Sequence, residues 1–121
     1  MSETTNPSAR STDALMTRHQ IAPYRGSPER LRQIAVAFTG SLRYSGDADK
    51  VLLLSDPLSQ QAFFYEFRAA DVLYGEEQPS VSMPDGSTVA MVRIWVRKGA
   101  DALKIVPFHV QDTSAILQQW R

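Results

Sequence analysis

The stretch TVAMVRIWVRKGADALKIVPFHV, residues 88–110, alternates apolar and polar side chains on either side of a central Gly99-Ala100 pair. Alternation with a period of two marks half-buried strands, and a glycine between two such runs marks a hairpin turn. We set Gly99-Ala100 as a two-residue loop of type II′, in which glycine holds the first central position and takes a positive φ at no cost. This register predicts Lys98 opposite Asp101, Val96 opposite Leu103, Ile94 opposite Ile105 and Trp95 opposite Lys104. One face of the hairpin is then aliphatic. The other carries Met91, Arg93, Trp95, Arg97, Lys104, Val106 and Phe108, because side chains alternate along a strand and meet across it. A Trp95–Lys104 contact adds about 0.5–1 kcal/mol at an exposed site. Pro107 lacks an amide donor, so pairing ends near it or the strand lies at an edge.

Upstream, Pro84-Asp85-Gly86-Ser87 is a turn signal joining a strand at Ser80–Met83 to the run that starts at Thr88. Gln61 to Arg68 alternates with Phe63, Tyr65 and Phe67 on the predicted core side. Val72-Leu73-Tyr74 continues it after a bend. Lys50 to Leu54 is a short apolar run that fits a strand buried on both faces, and Ser45-Gly46-Asp47-Ala48-Asp49 is a turn that separates it from a short strand at Ser41–Tyr44.

Ser27-Pro28-Glu29-Arg30 is a helix start: a serine cap, proline at the first helical position and an acid in the first turn. Leu31, Ile34, Ala35 and Phe38 then form one apolar stripe, which predicts a helix from about 28 to 38, stopped by Gly40. At the other end, Ile116, Leu117 and Trp120 share one side of a predicted helical turn within Thr113–Trp120. Residues 1–13 are polar without a hydrophobic period, which predicts disorder, and 14–26 carry more apolar content. The expected organisation is a disordered or loosely docked tail over 1–26 and a single α+β domain over 27–121. Its fold is a small curled antiparallel sheet or partly open barrel of five or six strands, with one N-terminal helix and a short C-terminal helical turn.

Composition limits function. The chain has 121 residues, 43% hydrophobic and 21% charged, which is ordinary for one globular domain. Thirteen basic residues balance thirteen acidic ones, so no broad cationic field favours duplex nucleic acid. Without cysteine there is no disulfide, thiolate or Cys-ligated zinc chemistry. No apolar run approaches the roughly 20 residues of a membrane span or resembles a secretory leader, so a cytoplasmic protein with no membrane partner is expected.

Catalytic constellations are few. His19 and His109 are too far apart in sequence for a local metal pair, His109 with Asp112 is the one base–carboxylate couple, and Asp71, Glu76 and Glu77 are the one carboxylate cluster. A lone histidine at a strand end and acids around a bend at Gly75 are ordinary surface features, and no phosphate-cradling loop, nucleophile elbow or dinucleotide fingerprint is present. No cofactor or metal is expected. The face of Met91, Arg93, Trp95, Arg97, Lys104 and Phe108 is the candidate binding site, since tryptophan and arginine are the commonest interface anchors. It reads in two ways: as an interface, or as a second core layer beneath the N-terminal helix. The expected function is a non-catalytic protein-interaction or assembly module that binds a protein partner or itself as a homodimer. The alternative is single-stranded nucleic-acid binding, which pairs stacking aromatics with cations.

Overall fold

Alternation along the strand Thr88–Arg97 puts Ala90, Val92, Ile94 and Val96 in the interior, with Val92 and Ile94 fully buried. The computed structural model of this chain describes residues 14–108 and residue 110. Residues 1–13, His109 and the expected helical turn within Thr113–Trp120 lie outside the described residues. In chain order the elements are a helical turn α1 (14–18), helix α2 (Pro28–Ile34) and strands β1 (Ala35–Arg43), β2 (Lys50–Ser55), β3 (Phe63–Arg68), β4 (Val72–Ser82), β5 (Thr88–Arg97) and β6 (Ala102–Ile105). The six strands form one antiparallel sheet in the order β4-β5-β1-β2-β3-β6, curled but not closed into a barrel.

That order corrects the expected hairpin. β5 pairs with β1 and β4, while β6 pairs with β3 through Phe64–Ile105, Tyr65–Lys104 and Glu66–Leu103. The turn chemistry explains it. The Ala100 amide donates to the Arg97 carbonyl at 3.2 Å, so Gly99, at φ +84°, is the second central residue of an Arg97–Ala100 turn instead of the first of a Gly99-Ala100 loop. Turns with the positive φ in that position splay their strands, and the chain leaves the sheet instead of returning along it.

The same turn forces the curl. In a flat sheet β5 and β6 would stand four strand spacings apart, about 19 Å. A four-residue turn keeps Arg97 and Ala100 within about 7 Å, and two further residues add at most about 7 Å. The sheet therefore folds back, with one wing made by β4, β5 and the start of β1, and the other by the end of β1, β2, β3 and β6. β1 belongs to both: residues Ala35–Gly40 pair with β5 and Ser41–Arg43 with β2. At this handover a Cβ on Gly40 would collide with the Leu54 carbonyl, so only glycine fits.

Between the wings Leu42, Val51, Leu53, Phe67, Val92 and Ile94 pack into one core, which Phe38 joins through its tilted contact with Phe67 at 4.9 Å. The open side is filled by the N-terminal segment. Leu15 and Ile21 are buried in this core, and a Cβ on Gly75 would press on Ile21.

α2 is shorter than the predicted 28–38. Its start is as read: Ser27 Oγ accepts the Arg30 amide at 3.3 Å and Pro28 opens the first turn. Its stripe ends at Leu31; Ile34 is 45% exposed, and Ala35 is already extended at φ −144°. Ala35 to Phe38 is apolar throughout and so fits a helix or a strand, and the ladder offered by β5 decides between them. The turn at 83–87 is as expected, with Gly86 at φ +89° and Asp85 accepting from the Ser87 hydroxyl and amide. The hydroxyl bond is the main cause of a lowered Asp85 pKa.

Candidate interaction surfaces

The odd residues of β5 point away from the core, so Met91, Arg93, Trp95 and Arg97 do share an outward face. Lys104 and Phe108 do not join them. Lys104 lies on the other wing with its Nζ 4.2 Å from the centre of the Phe63 ring, and Phe108, beyond the end of β6, is 84% exposed. The predicted Trp95–Lys104 contact is thus replaced by one to Phe63, because β6 pairs with β3.

The β5 face is largely engaged by the chain itself. Trp95 stands opposite Ala37 and Tyr74, and a 250 Å³ hollow separates it from Tyr24, Pro28 and Leu31 of the segment that lies across it. Tyr24 meets Tyr74 edge-on at 4.8 Å. Arg93 reaches Glu76 at 3.6 Å and donates to Thr39 Oγ1 at 3.5 Å. Arg97 donates through Nη2 and Nε to Asp71 Oδ1, at 2.9 and 3.2 Å.

Asp71 is not part of a solvated acidic loop. It sits buried in the short 3-10 turn Ala69–Asp71 that links β3 to β4, apart from Glu76 and Glu77, which are exposed on β4. Its Oδ2 lies 3.6 Å from Arg68 Nε, near enough for attraction but too long for a hydrogen bond. Arg68 also approaches Asp101, at 3.9 Å. The four groups clip the β3–β4 connection to the β5–β6 connection, where the sheet folds back. Asp71→Asn is expected to lower unfolding free energy in urea by about 1–2 kcal/mol. That is below the 3–5 kcal/mol of a fully buried pair, because both guanidinium groups are half in water.

Of the remaining titratable groups, His19 has its pKa lowered chiefly by burial, with Arg18 adding repulsion. A second hollow, of 440 Å³, is lined by Met16, Ile21, Pro23 and Gly75 with Glu76 and Glu77. Among the described residues no three histidine or acidic side chains come together as a metal site, and no helix is long and apolar enough to cross a membrane.

The sequence reading missed the surface on the other wing. Leu52 and Leu54 of β2, Phe64 of β3, and Leu103 and Ile105 of β6 all point away from the core. Cross-strand register makes them contiguous: Leu54 faces Phe64, which faces Ile105, and Leu52 faces Glu66, which faces Leu103. Leu103 is 59% exposed and Ile105 39%, and the chain continues with exposed Val106, Phe108 and Val110. An antiparallel sheet with one covered face ordinarily turns polar residues outward. The missed signal was the lysine-flanked run Val51–Leu54, whose even members line this outer face. No family model, curated protein sequence or solved structure matches this chain.

Proposed function

We propose that this chain is a non-catalytic protein-interaction module whose docking surface is the outer face of β2, β3 and β6. The observation that carries this reading is the contiguous row Leu54, Phe64 and Ile105, with Leu52 and Leu103 beside it, on the side of the sheet opposite the core. Leu103 and Ile105 are exposed and Leu52, Leu54 and Phe64 half-buried, and contiguous apolar residues on the outer face of a sheet in a small domain mark a site of association. A protein partner is favoured over single-stranded nucleic acid. The latter needs an excess of free cations beside stacking aromatics, whereas three of the arginines near the sheet's aromatics, Arg68, Arg93 and Arg97, each face a carboxylate and the chain has no net positive charge.

A photo-cross-linking residue at Ile105, in the cell that makes the protein, tests this against the same residue at Asp85 on the far hairpin tip. Position 105 is expected to give a protein–protein product and position 85 none. Leu103→Ser with Ile105→Ser should abolish that product while the melting temperature moves by no more than about 2 °C. Absence of any product, or a melting temperature lowered by more than about 8 °C, would show that this face is not a docking surface.

A further inference from the structure

We propose that the occupant of this face is a second copy of the same chain, packed face to face about a two-fold axis that runs parallel to β2; this rests on the interaction reading above. The β1–β2–β3 part of the surface is complementary to itself about that axis, with Leu103 and Ile105 at its rim. In one row across the strands stand Arg43, Leu52, Glu66 and Leu103, and in the next Ser41, Leu54, Phe64 and Ile105. A two-fold along β2 leaves each row in place and exchanges its two sides. Arg43 of one copy then lies over Glu66 of the other, and Leu52 and Leu54 against their own counterparts, while Ser41 is buried and takes no part. Among the described residues neither Arg43 nor Glu66 has an ion-pair partner within one copy. Lys50, near the same axis, has a side chain long enough to lie beside either Glu66.

The sheet edges favour the face over edge-to-edge pairing. β4 carries Pro79 and two irregularities in its pairing with β5, and β6 is four residues long with Lys104 in it. Proline, bulges, lysine and shortness are the devices that keep edge strands from adding neighbours. Three strand spacings of about 4.8 Å and five residue steps of about 3.3 Å make a face of roughly 14 by 17 Å. That is small even beside ordinary stable interfaces, which bury about 800 Å² per partner, so the dimer is weak and reversible.

Sedimentation equilibrium of the full chain provides the test. Wild type is expected to shift from monomer to dimer with concentration. Glu66→Arg and Arg43→Glu should each raise the dissociation constant roughly tenfold, and the two together should restore it to within about threefold, since the pair is re-formed with its charges exchanged. A chain that stays monomeric up to about 0.5 mM overturns the proposal, as does a double variant no tighter than the singles. The Ile105 cross-link separates this from the broader reading. A product of twice the chain mass supports self-pairing; a product of any other mass overturns self-pairing while leaving the docking surface in place.

Discussion

Phe67→Ala is expected to lower the unfolding free energy by about 3–5 kcal/mol in urea denaturation, the largest effect of any single truncation in this molecule. Phe67 is 2% exposed, pairs with Val51 on β2, and holds the rings of Phe38 and Tyr65 at 4.9 and 5.7 Å. Removing it deletes transfer energy and leaves a cavity at the seam between the wings. Because Phe38 belongs to β1 and Tyr65 to β3, neither strand can move in to fill the space without giving up its own register. A loss below about 1.5 kcal/mol would mean that the aromatic cluster is not the centre of the core.

The second large effect comes as a contrast. Ile94→Ala should cost about 2–5 kcal/mol and Ile105→Ala less than about 1 kcal/mol, although both are isoleucines at alternating positions in strands that follow one another along the chain. Ile94 is fully buried between Phe38 and Gly75 in register; Ile105 is 39% exposed on the opposite side of its sheet. Equal losses at the two positions would restore the hairpin in which they face one another and would contradict the strand order.

These residues also show how far the sequence reaches. The inward side of β5 was legible because alternation depends only on local pleating, whatever strand lies alongside. The partner was not. It hangs on whether Gly99 occupies the first or second central position of its turn, and the run of Lys98 to Asp101 permits both. Once β6 is paired with β3 its alternation is unchanged but its sides are exchanged, so Leu103 and Ile105 pass from core to surface. Ala35 to Phe38 is apolar at every position and so carries no period of its own, and only the ladder supplied by β5 chooses. The site was legible in the same partial way. Met91, Arg93, Trp95 and Arg97 do share a face, but the segment around Tyr24 and Leu31 lies over part of it. Asp71 gave no local signal, since the arginine that holds it lies 26 residues further on.

The handover strand has a consequence for the order of events during folding. β1 is complete early in the chain, yet half of it waits for β5; Thr39 and Arg93, which meet across that ladder, are 54 residues apart. The β2–β3 wing can assemble from near neighbours. The β4–β5 wing can close only after this long loop is drawn in, and its entropy must be spent before any of the pairing is returned. Small domains ruled by such distant pairings fold in milliseconds to seconds, not microseconds. During synthesis, the backbone of Ala35–Gly40 therefore remains unpaired until Arg97 has left the ribosome, and for that interval it is an open strand edge.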